Sequence, residues 1–201
     1  MKSKEWIVGV DEVGRGPLAG PITVCLVACE EKIYKKLKLS KNLPPLGKDS
    51  KKLKERDREK YCRVLKILAK EKNLFYSVNH VSNKVIDSKG LTFAINKAIS
   101  LGIKKLDLKY GNCRFLLDGS LKAPKEFKQR TIIKGDEKEK IIAWASILAK
   151  VSRDSLMVKM SKKYPEYDFH VHKGYGTKVH RSAISKNGLT SFHRVSFSLK
   201  T

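Results

Sequence analysis

The sequence predicts an α/β fold in which a mixed five-stranded sheet is flanked by helices. Three observations lead to this fold: short apolar runs rich in β-branched residues, longer segments with apolar residues at helical spacing, and the order in which the two alternate. That order is two adjacent strands, a helix, a strand, a helix, two strands and a long helix, as expected for one sheet with helices on its faces. With 201 residues and 41% apolar side chains, residues 1–201 fit one domain, and we expect residues 163–201 to form a C-terminal extension.

The predicted strands are short apolar runs bounded by loop residues. The first begins at Trp6, and a second β-branched run follows it after a glycine-rich loop. Both runs have the length and composition of buried strands, which rarely exceed ten residues. The predicted strands occupy residues 6–12, 21–30, 73–82, 113–119 and 129–135.

The predicted helices follow from apolar residues spaced three or four apart. In the first helix, for example, Tyr61, Leu65 and Leu68 fall on one face. Gly102 is expected to end the second helix, because glycine readily takes the left-handed conformation found after helix C-termini. The predicted helices span about 51–70, 88–102, 137 to about 162, and 177–187.

The composition points to a nucleic-acid partner. The chain has 44 Lys and Arg against 20 Asp and Glu, a formal net charge of +24, and a polyanion would offset the resulting self-repulsion. A generally lysine-rich background is the alternative, because the lysines are spread from end to end. The four cysteines lack zinc-ligand spacing, and no apolar segment is long enough for a signal peptide or a membrane span. We therefore expect a cytoplasmic protein with no membrane partner.

Carboxylates stand where predicted strands end. Asp11 and Glu12 follow the apolar run WIVGV, and Asp118 follows CRFLL. Asp136 lies between the fifth strand and the long helix. Open α/β sheets place their ligand sites at such strand ends. Each position also has a plain structural interpretation, which is a turn for the first three residues and a helix N-cap for Asp136.

Taken together, the four carboxylates predict a metal site. If the strands are neighbours, the carboxylates converge and repel one another, and a pair of hard divalent cations would relieve that repulsion. Two such ions suit in-line displacement at phosphorus, where one activates water and the other stabilises the leaving oxygen. An acidic pocket in a basic chain is the layout of a phosphodiesterase, with a pair of divalent cations as its cofactor.

Other functions explain the sequence less well. The glycines after WIVGV suggest a dinucleotide-binding loop, but Pro17 and a strand follow where that loop needs a helix. A zinc site would be drawn from four histidines without a cysteine partner or a helical HxxxH pair, namely His170, His172, His180 and His193. A non-catalytic basic nucleic-acid-binding module explains the charge but leaves the carboxylates without a role.

Six sequence blocks resemble the ribonuclease HII family, in the same order and over nearly the whole chain. These blocks are GVDEVGRGPLAGP at 9–21, LPPLGKDSKKL at 43–53, FLLDG at 115–119, ASILAKVSRD at 145–154, HKGYGTKVH at 172–180 and SFHRVSF at 191–197.

The resemblance implies a ribonuclease H-like fold with a C-terminal helical extension that contacts substrate. It also implies that the four carboxylates named above bind two catalytic metal ions, Mg²⁺ or Mn²⁺. Gly14, Arg15 and Gly16 match a motif whose backbone contacts the ribose 2′-OH and a neighbouring phosphate. Tyr175 matches a tyrosine that stacks on the deoxyribose following the ribonucleotide.

The function implied by the resemblance is hydrolysis of RNA paired with DNA, and cutting on the 5′ side of single ribonucleotides embedded in duplex DNA. The partners are therefore RNA/DNA hybrid and ribonucleotide-containing DNA, and we expect a monomer. Glu139, Ile141 and Trp144 depart from the small residues and serines usual in the family. These departures predict altered hydrogen bonds and helix packing around the site, and with them an unusual activity level or metal preference.

Overall fold

The computed structural model describes residues 4–37 and 53–198. Its strands are β1 (Trp6–Val13), β2 (Ile22–Glu30), β3 (Phe75–Val81), β4 (Cys113–Asp118) and β5 (Lys128–Ile132). They form one sheet in the order β3-β2-β1-β4-β5. The pairs β1–β2 and β2–β3 are antiparallel, whereas β1–β4 and β4–β5 are parallel. The predicted mixed five-stranded sheet is confirmed.

Helices cover both faces of this sheet, as predicted. The α-helices of the described residues are α1 (Glu31–Lys36), α2 (Glu55–Lys70), α3 (Asn83–Lys89), α4 (Leu91–Lys105), α5 (Gly135–Lys138), α6 (Lys140–Lys163), α7 (Phe169–His172) and α8 (Lys178–Asn187). One turn of 3-10 helix, Pro165–Tyr167, joins α6 to α7. Helices α6 and α2 lie on one face, and α3 and α4 lie on the other. None of the helices in the described ranges is long and apolar enough to cross a membrane.

Alternation along the strands divides the apolar residues between two cores. In β1, Val8 and Val10 pack toward α4 with Phe115 of β4, whereas Ile7 packs toward α6. Successive side chains of a strand point to opposite faces, so a strand covered on both sides is apolar throughout. This is why β2, ITVCLVACE, has no polar alternation and is buried along nearly its whole length.

The closest contact between the sheet and α6 occurs at Gly9. A Cβ built at this position would lie 2.5 Å from the Ile141 carbonyl carbon and 2.9 Å from the Ile141 Cγ2. The backbone of the first turn of α6 therefore rests directly on β1. Two residues that depart from the family pattern stabilise this packing, because Ile141 and Trp144 are both fully buried.

Trp144 fills the space between α6 and α1. Its ring meets that of Tyr34 edge to face, with the centroids 5.8 Å apart. Within the described ranges its Nε1 atom has no hydrogen-bond partner. Glu139, the third departure, immediately precedes α6. Burial, followed by the negative charge of Glu139, raises the pKa of Tyr34 to about 12.

Two predicted helices differ from the observed ones. The predicted helix 88–102 is two helices, α3 and α4, separated at Gly90, whose φ is +84°. Gly102 does not end α4, which continues to Lys105. A Cβ at Gly102 would lie 2.5 Å from the Leu26 Cδ1, so this glycine allows α4 to pack closely on β2.

The long helix also begins later than predicted. It starts at Lys140, because the short helix α5 and a bend at Glu139 intervene after β5. Most of the block at 43–53 lies outside the described residues, as does the predicted helix start near Lys51. The described part of that helix, α2, begins at Glu55.

The C-terminal segment packs back onto the loop between β1 and β2. Leu18 and Ala19 from that loop form a third apolar cluster with Met157, Phe169 and residues of the tail. An isolated antiparallel bridge also joins Ala19 to His193. The tail thus closes over the glycine-rich loop that follows β1.

The close approach at Gly9 predicts a large stability loss in the variant Gly9→Ala. The added Cβ overlaps backbone, which cannot move aside as a side-chain end does, so α6 must shift away from β1. We expect the free energy of unfolding to fall by about 1–3 kcal/mol in thermal or urea unfolding. The matched control is Gly16→Ala, where a Cβ would meet nothing within 4 Å. Equal unfolding midpoints for the two variants would contradict this account.

Candidate active site

The candidate site lies where β1 and β4 stop pairing. The last paired residues are Val10 and Leu117, and Asp11 and Asp118 come next on the two parallel strands. The two carboxylates therefore stand side by side at one edge of the sheet. Their carboxyl groups are close enough for the charge of Asp118 to raise the pKa of Asp11.

β1 does not end at these residues, contrary to the expectation of a turn. On its other side it stays paired with β2 as far as Val13, and Asp11 and Glu12 oppose Cys25 and Val24. The acidic pair is thus held by regular strand geometry on one side and opens toward the site on the other. A solvated turn at Asp11 is excluded, because this residue is only 2% exposed.

Asp11 is in an environment that disfavours its negative charge. Burial, then the neighbouring charge of Glu12, and to a smaller extent Asp118, raise the pKa of Asp11 well above its usual value. A hydrogen bond with the Ser146 side chain of α6 acts in the opposite direction, and so does the Glu12 N–H, which donates to Asp11 Oδ1 at 2.7 Å. These two hydrogen bonds also hold the orientation of the carboxylate.

The two carboxylate oxygens of Glu12 differ in their hydrogen bonding. Its Oε1 accepts from Nε of Arg15, and the same guanidinium reaches Ser120 Oγ at 3.5 Å. Its Oε2 is buried and has no hydrogen-bond partner among the described residues. Burial raises the pKa of Glu12, and the contact with Arg15 partly offsets that rise. A buried carboxylate oxygen without a donor is where a cation would be expected.

Asp118 and Asp136 are linked through Gly135, which hydrogen-bonds to the first and precedes the second in the chain. Asp118 Oδ1 accepts from the N–H of Gly135 at 2.6 Å, and Asp136 is the next residue. Asp136 is 3% exposed and lies within α5, whose N-cap is Lys134 in the left-handed conformation. The N-cap interpretation of Asp136 is therefore wrong, since Glu139 occupies the N-cap position of the long helix.

The donor chemistry at this edge of the sheet fits a hard divalent cation. The four carboxylates would supply oxygen ligands, and Glu12 Oε2 has no hydrogen-bond partner within the described residues that would compete with a cation. In the conformations present, residues 4–37 and 53–198 contain no group of three or more His, Cys, Asp or Glu side chains that could hold a metal ion. The structure thus brings the predicted carboxylates to one region without closing them into one coordination shell.

The loop after β1 contains two glycines in different circumstances. Gly14 has a φ of +98°, and a Cβ there would overlap the Arg153 guanidinium and lie 2.9 Å from the Pro21 carbonyl oxygen. Gly16 has no such constraint, because nothing lies within 4 Å of its Cβ position. Gly14 is therefore required by the fold, whereas Gly16 leaves an open surface beside Arg15.

Tyr175 lines the same cavity as Glu12. The cavity holds about 250 Å³ and is bordered by Arg58 and Lys150 as well. The tyrosine is 40% exposed, so it is not the core aromatic that the flanking glycines also allowed. On its inner side, the Arg153 guanidinium carbon lies 5.9 Å from the ring centroid. One face of this ring is thus supported by a cation while the side chain remains accessible.

Three of the histidines weighed for zinc form a buried network of hydrogen bonds. His180 Nδ1 bonds the Tyr175 carbonyl at 3.0 Å, so that nitrogen carries the proton and Nε2 accepts. The donor to it is His193 Nε2 at 3.1 Å, and His193 Nδ1 accepts from the Thr190 N–H at 2.9 Å. His172 stacks on His180 with ring centroids 4.3 Å apart. These ring nitrogens are occupied, which argues against a zinc site.

Three side chains of the site escape prediction from sequence. Ser146 contacts Asp11, while Arg153 and Arg194 are buried beneath the loop that contains Gly14. Both arginines fall inside blocks that match the family, but charged side chains are normally expected at the surface. In the sequence, the match of these blocks to the family was the only signal that could have pointed to the two arginines.

The comparisons with known proteins decide the family. A family model described as Ribonuclease HII matches residues 8–200. The chain is 44% identical over 198 residues to a ribonuclease HII of Clostridium beijerinckii, covering 98% of this chain and 69% of that protein.

The chain belongs to the ribonuclease HII family. Membership makes it a ribonuclease H, a hydrolase of phosphodiester bonds, and confirms the family predicted from the sequence blocks.

Solved structures agree on the ribonuclease H fold. The ribonuclease H2 of Pyrococcus horikoshii OT3 superposes with a TM-score of 0.70 at 25% identity, covering 96% of this chain and 94% of that one. Bst-RNase HIII, solved in complex with Mn²⁺, superposes with a TM-score of 0.69 at 17% identity, covering 98% and 68%.

The contrast between the two loop glycines leads to a prediction. Gly16→Ala should unfold within about 0.5 kcal/mol of the unsubstituted chain, because its Cβ meets open space. Gly14→Ala should lose at least about 1 kcal/mol, since its φ is unfavourable for a Cβ and the Cβ overlaps Arg153. Urea unfolding of both variants measures the difference. Equal losses would show that the loop adopts another conformation in solution.

The histidine network predicts that stability falls in mild acid. Burial lowers the pKa of His180 from 6.5 to about 4, and also lowers the pKa values of His172 and His193. Below pH 6.5 the unfolded chain therefore binds protons that the folded chain excludes, so the free energy of unfolding decreases as the pH falls toward 4. The expected loss is on the order of 1–3 kcal/mol.

Unfolding measured from pH 7 to pH 4 tests this, with His180→Asn as the informative variant. Its amide nitrogen takes the place of Nδ1 and does not titrate, so the pH dependence should become shallower. His170→Asn, at a half-exposed position, is the matched control. An unchanged slope in His180→Asn would contradict the assignment.

Proposed function

We propose that this chain is an endoribonuclease that hydrolyses the RNA strand of RNA/DNA hybrids and cuts on the 5′ side of single ribonucleotides embedded in duplex DNA. The observation that carries the proposal is the acidic site at the end of the β1–β4 pairing. There Asp11, Glu12 and Asp118 interact electrostatically in a chain of net charge +24. Membership of the ribonuclease HII family supports the same reading.

The proposed cofactor is a pair of divalent cations, Mg²⁺ or Mn²⁺, held by Asp11, Glu12, Asp118 and Asp136. When bound, such ions would supply an activated water and stabilise the leaving oxygen. The unpartnered Oε2 of Glu12 supports this proposal, as does the Mn²⁺ complex of Bst-RNase HIII, which has the same fold. Gly135 and Ser146 orient two of the four carboxylates by hydrogen bonds.

Recognition of the ribonucleotide is assigned to the loop Gly14–Gly16 and to Tyr175. Only the 2′-OH distinguishes RNA from DNA at one nucleotide, so a backbone that approaches the sugar closely is needed. Gly16, which has open space at its Cβ position, and the exposed ring of Tyr175, which lines the same cavity as Glu12, offer such surfaces. The 2′-OH serves as a recognition group and not as the nucleophile, so the products carry 5′-phosphate and 3′-OH ends.

Binding of the duplex is assigned to the lysines and arginines at the protein surface. Lysines and arginines neutralise phosphates and release counterions, which makes affinity depend on salt. A non-catalytic binding module would share this property, but it would have no need for a buried carboxylate such as Asp11, whose pKa is raised by burial and by the charges of Glu12 and Asp118. We further propose that the chain acts as a cytoplasmic monomer and that residues 163–201 contact substrate.

The decisive test is cleavage of a DNA duplex that carries one ribonucleotide, with Mg²⁺ and with EDTA. Cutting should require the metal and occur on the 5′ side of the ribonucleotide. Asp118→Asn and Asp136→Asn should each lower the rate by about 100-fold or more, because a neutral amide binds divalent ions poorly. Asp107→Asn is the matched control, since that carboxylate is exposed and pairs with Lys109 at 2.6 Å.

Three outcomes would count against the proposal. Metal-independent cutting would remove the metal from the reaction. Tight binding without cutting would favour the non-catalytic module. If Asp136→Asn cuts normally but unfolds more easily, this carboxylate supports the fold and does not act in the site.

A further inference from the structure

Two arginines are fully buried beneath the loop that follows β1. Arg153 on α6 is 0% exposed, and Arg194 in the C-terminal segment is 1% exposed. Neither guanidinium forms an ion pair with a carboxylate in residues 4–37 and 53–198. Burying an unpaired charge is costly, so other strong hydrogen-bond acceptors must compensate.

Arg194 binds three carbonyl groups of the loop. Its Nη2 donates to Gly14 at 2.7 Å, its Nη1 to Arg15 at 2.9 Å and its Nε to Gly20 at 2.9 Å. The planar fork thus spans both ends of the loop and draws its carbonyl oxygens toward the interior. A lysine has one nitrogen and cannot reach these three acceptors in the same geometry.

Arg153 joins this loop to the one that carries Tyr175. Its Nε donates to Pro21 at 3.1 Å, its Nη2 to Ala19 at 3.1 Å and its Nη1 to Lys173 at 3.0 Å. The same guanidinium lies under the Tyr175 ring. One side chain therefore sets the spacing between the two segments assigned to substrate recognition.

The direction of the carbonyls determines where the amides point. Across a trans peptide the C=O and the following N–H point in opposite directions, and the described chain has no cis peptide. Because the carbonyls of Gly14 and Arg15 face Arg194, the N–H groups of Arg15 and Gly16 face outward. Neither amide donates to another backbone group within the described residues. Consecutive outward amides of this kind form a concave anion-binding surface.

The electrostatics favour an anion at the same place. Burial, followed by the positive charge of Arg153, lowers the pKa of Arg194 to about 9, and the charge of Asp87 offsets only part of this effect of burial and of the two neighbouring cations. Their combined field extends outward through the loop. A phosphodiester bound at the Arg15 and Gly16 amides would be attracted by both the amides and this field.

We propose that Arg153 and Arg194 are positioning residues for substrate recognition, which hold the loop 14–21 and the Tyr175 loop in one arrangement and turn the Arg15 and Gly16 amides toward a phosphodiester and its sugar. This inference rests on the proposed function, because it assigns these residues to the same substrate. The arginines themselves do not touch the nucleic acid, and the loop carries their effect to it.

The test uses the full chain with Arg194→Lys and Arg153→Lys, which keep the charge and lose the fork. Arg114→Lys is the matched control, because that arginine is exposed and pairs with Glu31. Two dissociation constants are measured in EDTA, one for DNA duplex with a single ribonucleotide and one for the same duplex without it. Cleavage kinetics in Mg²⁺ and a thermal melt accompany each variant, with all assays run well below the melting temperature.

The preference for the ribonucleotide duplex is the ratio of the two dissociation constants. In each lysine variant this ratio should fall about tenfold, as expected when charged hydrogen bonds are lost. Binding to plain DNA should stay within about twofold, since surface lysines supply it. KM for the ribonucleotide duplex should rise more than kcat falls. A role confined to folding would lower the melting temperature and leave the preference unchanged.

The proposal is overturned if both lysine variants keep the full preference, or if both lose their cooperative melt, which would assign the arginines to folding alone. Failure of the proposed function looks different. In that case the unsubstituted chain itself neither cuts the ribonucleotide duplex nor prefers it over plain DNA.

Discussion

The arrangement of the whole site depends on the contact between α6 and β1 at Gly9. Because no side chain intervenes there, the helix axis lies close to the strand, and successive turns of α6 project their side chains over the strand end. Ser146 reaches Asp11, and Arg153, two turns further on, reaches the loop that follows. Asp136 enters the same region just before the helix begins. The absence of a Cβ at Gly9 thus determines how the acidic residues are placed relative to the loop after β1.

The site separates its charges over a short distance. The charges of Glu12 and Asp118 raise the pKa of Asp11 where β1 and β4 stop pairing. Beneath the adjoining loop lie the guanidiniums of Arg153 and Arg194, which bind backbone carbonyls. Arg15 connects the two regions through its contact with Glu12. Such segregation lowers stability, since opposite charges would gain by pairing. A substrate with metal ions at one end and phosphates at the other would complement both regions.

The strands and the acidic residues could be predicted because their signals are local. An apolar run that stops at an Asp indicates a buried strand from local residues alone, and it gives the end of β4 correctly, although β1 continues past Asp11 to Val13. The position of Asp136 was harder to predict, since the left-handed Lys134 and the short helix α5 leave no periodic pattern. The different roles of Gly14 and Gly16 depend on contacts with residues far along the chain. The burial of Arg194 is of the same kind, because its acceptors are carbonyl groups about 180 residues away, which no pattern around it reveals.

This separation along the chain has a consequence for the order of folding. The loop after β1 is translated about 180 residues before Arg194, the side chain that gathers its carbonyls. Contacts between distant residues close late, because a long loop of chain must be ordered before they form. The sheet, whose last strand ends at Ile132, can form before this contact is made. The loop after β1 is therefore expected to reach its final conformation late in folding, after the strands that flank it.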